Sequence, residues 1–291
     1  MSTIAIVGPG AIGGTVAAWL CQAARHDVVV CARTAFEEIL LETPEQKFTA
    51  RPTVLTSPAA GHAADWILVA TKAYDASAAA AWFTPLTGPS TRLAVLQNGV
   101  EHIERFAPHF DPKRILPVVV DLPAERTSAG RIRQRRTGRM TVPATTDGAD
   151  FRALFDATRI EVVTTDDFLT AAWTKLCINS AGAVDALALK PARVAQIAEA
   201  AELMRGIVRE CIQVGRAEGA RLDDSIAETV LEGYRKAPPD SVNSLLADRL
   251  ARRPMEIEAR NGVIVRRGQR HGIATPLNQT VVALLKAVEA P

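Results

Sequence analysis

The first hundred residues alternate short apolar runs with helical stretches. Thr3–Val7 is an apolar run that stops at a glycine, and Asp27–Cys31, Asp65–Ala70 and Arg92–Leu96 repeat the form. Each run is apolar throughout rather than alternating, the signature of strands buried on both faces of a parallel sheet. Ala11–Ala24, rich in alanine with bulky residues on one side, reads as a helix between the first two runs, and Ala76–Ala81 reads as the start of another. Strand–helix alternation predicts a doubly wound α/β domain. Between Ile115 and Val142 the pattern changes. ILPVVVDL, GRIRQRR and RMTVP read as strands joined by turns, placed at the end of the sheet as an antiparallel edge. From about Asp166 helical periodicity takes over. Phe168–Leu189, Val194–Glu218 and Ser244–His271 are predicted long helices, with the Pro-rich GYRKAPPDSVNS as a loop. The reading divides the chain into an α/β domain over residues 1–165 and an all-helical domain over 166–291, with a hinge near 160–168.

Composition narrows the function. With 291 residues the chain exceeds what one hydrophobic core usually serves. Hydrophobic residues at 48%, charged residues at 23% and a net charge of +2 describe an ordinary globular enzyme with no bulk attraction to nucleic acid or membrane. No stretch of about 18 apolar residues suggests a membrane span, and the N-terminus makes a poor signal peptide. The four cysteines, at 21, 31, 177 and 211, suit neither a zinc site nor a disulfide framework. They read as buried free thiols, which fits a reducing cytoplasm, and no metal is expected. Six arginines crowd residues 126–139: Arg126, Arg131, Arg133, Arg135, Arg136 and Arg139. A solvated edge protected by charge is the first reading of that segment, an anion-binding edge the alternative.

The candidate chemistry begins at IAIVGPGAIGG. Gly8, Gly10 and Gly13 form G-x-G-x-x-G directly after a strand and at the opening of a helix, the context that makes this pattern informative. Gly8 permits the tight turn, Gly10 lets backbone approach a pyrophosphate, and Gly13 lets helix and strand pack closely. With Pro9, Ala11 and Ile12 they are expected to hold a dinucleotide on the helix N-terminus. The second strand ends at Arg33 rather than at the carboxylate that would hold an NAD ribose, and Asp27 lies at its wrong end. A cation there suits a 2′-phosphate, so NADPH is the expected cofactor. Lys72 and Asn98 follow parallel strands at the ends where ligands sit in such sheets. In WTKLCINSAG, Lys175 and Asn179 share a helix face. Lys175 is either a functional cation or a lysine that reaches solvent over its apolar neighbours. Glu210, the Ser244 and Asp248 pair, and the Glu256 and Arg260 pair add carboxylates that spacing alone would assign to surface ion pairs.

These residues carry a resemblance. GPGAIGG, ATKAYD at 70–75, LQNG at 96–99, WTKLCIN at 173–179 and SLLADRLARRPMEIEARNGVIVRRGQRHGIATP at 244–276 resemble the ketopantoate reductases (2-dehydropantoate 2-reductases) over nearly the whole chain. The resemblance implies a Rossmann-type domain followed by a helical one, with the active site in a cleft, and NADPH-dependent reduction of a 2-oxo acid on the route to pantothenate. It implies Lys175 as the catalytic lysine and Glu256 as its partner carboxylate, which also meets the cofactor ribose. Lys72 and Asn98 fall at cofactor-side and cleft positions, and Asn98, Asn179 and Ser244 are implied to orient the substrate. Glu210 matches an acidic position. The sequence departs at Ala183, where the family commonly carries a second asparagine, which opens the alternative of another 2-oxo acid or related carbonyl as substrate. A non-catalytic NADP(H)-binding regulatory protein is a third reading. A homodimer fits, since most soluble oligomers are dimers.

Overall fold

The computed structural model describes residues 1–289. They divide into two compact units. Met1–Gln97 with Glu101–Phe168 form the first, and Asn98–Val100 with the chain from Leu169 form the second.

Six parallel strands build the centre of the first unit. Their order is Thr53–Leu55, Asp27–Cys31, Thr3–Val7, Ala64–Val69, Thr87–Val95 and Ile115–Pro117. The four predicted apolar runs are the second to fifth of these strands; the edge strand Thr53–Leu55 is not among them. Ile4, Ala5, Ile6, Ile67, Leu68 and Val69 are wholly buried, as a sheet covered on both faces requires. Polar and apolar positions do not alternate in this centre because both faces meet other elements: Leu68 and Ala94 lie in one core cluster, Ile67 and Leu93 in another.

The Ile115–Val142 expectation is corrected in part. Ile115–Pro117 extends the main sheet in parallel, but the rest leaves it. Ala124–Ser128 and Arg131–Gln134 pair as a hairpin, and Arg131–Gln134 runs parallel to Ile39–Glu42, which pairs antiparallel with Lys47–Ala50. This separate four-stranded sheet covers the first helix, Ala11–Ala23. Trp19 of that helix donates to Gln134 Oε1 at 2.8 Å and its ring lies 5.0 Å from that of Phe48. Val119–Asp121, Arg139–Pro143 and Glu161–Thr165 form a third, three-stranded sheet. Five of the six arginines make ion pairs along these two smaller sheets: Arg131 with Glu38, Arg133 and Arg135 with Glu125, Arg136 with Asp121, Arg139 with Glu161. Their partners fit the charge-protected edge.

The second unit is helical, and its predicted long helices are broken. Phe168–Leu189 is two helices, Phe168–Ala181 and Ala183–Ala188, parted at Gly182. Val194–Glu218 begins as a 3₁₀ turn and becomes α-helical over Ala198–Ala217. Ser244–His271 is three pieces: Ser244–Leu250, a π turn over Glu258–Gly262, and Val263–His271. Pro254 lies in the irregular stretch between the first two, where a continuing helix would lack one backbone donor. Glu256 precedes the π turn, so Glu256 and Arg260 do not share the face of one α-helix as their spacing suggests. Residues 259–264 are all buried in succession, which a 100° step per residue on a half-exposed helix would not allow. The wider turn brings both Arg260 and Asn261 inward. Asn261 donates to the Ser180 carbonyl at 3.1 Å and to Asn278 Oδ1 at 3.0 Å.

The four cysteines are free thiols; Cys31, Cys177 and Cys211 are buried and Cys21 is half-buried. Burial pushes the Cys31 thiol up to about 12. Among the described residues no helix is long and apolar enough to cross a membrane.

Candidate active site

In the first unit the candidate residues form a backbone cradle. Gly8 has φ +92°, where an L side chain is strained, and a Cβ there would stand 2.6 Å from Thr71 Cγ2. A Cβ on Gly13 would run into the Gly8 carbonyl oxygen and lie 3.0 Å from Ala70 Cβ, so this glycine lets the helix sit on the strand. Gly10 differs: a Cβ there would meet nothing within 4 Å. Its outer side opens onto free space at the start of the helix. No side chain caps that helix and its first turn holds no acidic residue. The first-turn N–H groups, which have no partner within a helix, and the positive end of the dipole suit a pyrophosphate. The cradle therefore fits the expected dinucleotide.

The strand ends beside it are tied together by a residue that sequence reading passes over. Gln97 is 4% exposed. Its Nε2 donates to Thr71 Oγ1 at 2.9 Å and to the Lys72 carbonyl at 3.2 Å, and its Oε1 accepts from Arg105 at 2.9 Å. His102 Nε2 lies 3.0 Å from the Gln97 carbonyl, and burial pulls the imidazole down to about 4, so it is neutral and donates through Nε2. A glutamine at a strand end, next to Asn98 and Gly99, is the signal available in the sequence. Lys72 itself is half-buried at the turn after Ala64–Val69. Arg33 lies two residues beyond Asp27–Cys31 and is exposed. Glu38, a carboxylate that follows that strand, pairs with Arg51 at 3.2 Å and Arg131 at 3.6 Å.

In the second unit the candidates form a side-chain network. Asn98 Nδ2 donates to Glu256 Oε2 at 3.0 Å, and Asn179 Nδ2 donates to Asn98 Oδ1 at 3.3 Å. Glu256 is 5% exposed, which excludes the surface ion pair its spacing suggests. Lys175 is half-buried on the Phe168–Ala181 helix, one turn before Asn179. Ser244 is the exposed first residue of Ser244–Leu250. It joins the network through Arg260, whose Nη1 donates to Ser244 Oγ at 3.3 Å and whose Nη2 donates to the Asn179 carbonyl.

Three further residues fall outside this network. Glu210 caps the Pro276–Glu289 helix, accepting from Leu277 N at 2.8 Å and from Asn278 N at 2.9 Å. Asp248 is buried and accepts from Arg253 at 3.0 Å, so this carboxylate too is more than a surface charge. Ala183 is wholly buried within the helical core, next to Gly182. Sequence reading also passes over Asn243 and Tyr234. Asn243 Oδ1 caps Ser244–Leu250, while its Nδ2 donates to Asp185 Oδ2 at 2.9 Å. Tyr234 donates to the Ile178 carbonyl at 3.1 Å. Among the described residues no cluster of histidines, cysteines and carboxylates could hold a metal ion.

Two family models match the chain: "Ketopantoate reductase PanE/ApbA" over residues 4–147 and "Ketopantoate reductase PanE/ApbA C terminal" over 167–289. A protein named 2-dehydropantoate 2-reductase from Caulobacter vibrioides is 55% identical over 287 residues, 99% of either chain. One of the same name from Mycobacterium tuberculosis is 38% identical, over 98% of this chain and 97% of its own. The crystal structure of 2-dehydropantoate 2-reductase from Geobacter metallireducens superposes with a TM-score of 0.92 at 28% identity, covering 98% of this chain and 99% of that one.

Proposed function

The chain belongs to the ketopantoate reductase family, and we propose that it reduces 2-dehydropantoate (ketopantoate) to pantoate with NADPH. The observation that carries this reading is the linked set Asn179–Asn98–Glu256, with Lys175 one turn from Asn179 on the same helix. A lysine can give a proton to a carbonyl oxygen, a carboxylate can hold that lysine, and two amides can orient a 2-oxo acid.

Gly8, Pro9, Gly10, Ala11, Ile12 and Gly13 would hold the pyrophosphate, Arg33 the 2′-phosphate, and Lys72, Asn98 and Glu256 the remainder of the cofactor. When bound, NADPH supplies the hydride that adds to the keto carbon. As charge develops on the carbonyl oxygen, the Lys175 ammonium stabilises it and donates the proton that completes the alcohol. A positioned general acid contributes about 10²–10⁴-fold, and a fixed cation adds electrostatic stabilisation. Glu256 holds Lys175 in place and fixes the Asn98 amide by accepting its N–H. Asn98 and Asn179 orient the substrate, and the Ser244 hydroxyl donates to its carboxylate.

The test is cofactor oxidation by the purified chain with a panel of 2-oxo acids. Rapid NADPH oxidation with ketopantoate is the expected result. Oxidation only with other 2-oxo acids would replace the substrate, and NADPH binding with no oxidation would replace catalysis with a regulatory role. Running the panel with NADH in parallel tests the cofactor choice.

A further inference from the structure

A buried charge is costly unless an opposite charge or a full set of hydrogen bonds compensates it. Arg260 has neither. It is 1% exposed. Nη1 donates to Ser244 Oγ and Nη2 to the Asn179 carbonyl, both neutral acceptors, while Nε is buried without a hydrogen bond. Among the described residues no carboxylate forms an ion pair with it. Glu256, Asp185 and Asp248 stand near enough to favour its charge, yet burial still pulls the guanidinium below its usual range. Asp185 compensates weakly. One of its oxygens takes the Asn243 amide, the other is buried without a hydrogen bond, and burial pushes its carboxyl up to about 7.

The position of this cation is built. The π turn over Glu258–Gly262 directs Arg260 inward. Gly182 clears room for it, since a Cβ there would lie 3.2 Å from Nη2 and 2.5 Å from the Tyr234 hydroxyl. At Nη1 stands Ser244, which is exposed. A serine hydroxyl has one proton to give and lone pairs to accept with. With a lone pair engaged by Arg260, its own proton is free to be given away, and the cation polarises the O–H bond.

We propose that Arg260 is the positioning residue for the substrate's carboxylate. It donates to Ser244 Oγ from within, so that the Ser244 hydroxyl donates outward to an anionic 2-oxo acid, whose charge offsets the guanidinium. This rests on the reading of Ser244 as a substrate contact. It makes the site selective for the acid over a neutral ketone of the same shape.

The experiment compares the full-length wild type with Arg260→Met and Arg260→Lys, using ketopantoate and its neutral lactone, the latter as substrate or as competitive inhibitor. Arg260→Met is expected to raise KM for ketopantoate by roughly 10–100-fold, the worth of a charge-assisted contact. The kcat, the NADPH Kd and the response to the lactone should hold. Arg260→Lys should recover most of the loss. Equal losses for acid and lactone would make Arg260 a structural residue and overturn the proposal, as would an unchanged KM for the acid. If Arg260→Met does not fold, the uncharged polar Arg260→Gln is measured in wild-type and Ser244→Ala backgrounds. A KM effect that vanishes in the Ser244→Ala background supports action through Ser244, and one that persists in full overturns it. A wild type that turns over no 2-oxo acid instead removes the reading of Ser244 itself.

Discussion

The glycine loop of the first unit and the polar network of the second do their work with different parts of the chain. The loop is made of backbone. Gly8, Gly10 and Gly13 matter because they lack a Cβ, and all three lie on one strand–helix turn. The network is made of side chains from distant segments: Asn98 and Glu256 are 158 residues apart, Asn98 and Asn179 are 81 apart. A backbone site is encoded locally and is lost by adding atoms. A side-chain site is encoded by the fold and is lost by removing them.

That contrast can be broken at several points. The largest effect is expected at Lys175. Lys175→Ala should lower kcat by about 10²–10⁴-fold in steady-state assays, and near-normal turnover would take the general-acid role away from it. Next comes Arg33, the side chain that the cofactor reading assigns to the 2′-phosphate. Arg33→Ala should weaken NADPH by about 10–100-fold while leaving NADH binding as it was, and equal losses for both cofactors would remove the 2′-phosphate assignment. The smallest effect on activity is expected at Glu210, a carboxylate whose bonds go to the N-terminus of Pro276–Glu289. Glu210→Ala should cost about 1–3 kcal/mol of stability by urea denaturation, with kcat/KM unchanged for the folded fraction. A loss of kcat/KM at full stability would move Glu210 into the site.

The same contrast explains what is legible in the sequence. The glycine loop and the four central parallel strands are written in contiguous residues, and their apolar runs and spacing identify them directly, whereas the three-residue edge strands Thr53–Leu55 and Ile115–Pro117 are too short to be placed that way. The Ile39–Glu42 and Lys47–Ala50 hairpin escapes such a reading because each strand is short, and the strand that pairs with it, Arg131–Gln134, lies far along the chain. Its reason for existing, cover for the first helix, is tertiary. The Ser244–His271 pattern reads as one helix because periodicity does not register a π turn, and the turn is what buries Arg260 and Asn261 side by side. Asn98, Lys175, Asn179, Ser244 and Glu256 come from short motifs and a family resemblance. Spacing alone assigns Glu256 to the surface, and only its bond to Asn98 and its burial place it in a network. Gln97 and His102 leave a fainter trace, polar residues beside a strand end whose partners become visible only in the fold.

The central claim is that the glycine loop holds the cofactor and the polar network carries the chemistry. The most direct test is the NADPH dissociation constant, measured by titration, of Gly8→Ala and of Lys175→Ala. A methyl at Gly8 is strained by its φ of +92° and collides with Thr71, and strain of this kind costs about 1–3 kcal/mol. Gly8→Ala should therefore bind NADPH about 10–100-fold more weakly, while Lys175→Ala binds it as the wild type does. Normal binding by Gly8→Ala, or a comparable loss in Lys175→Ala, would contradict the account.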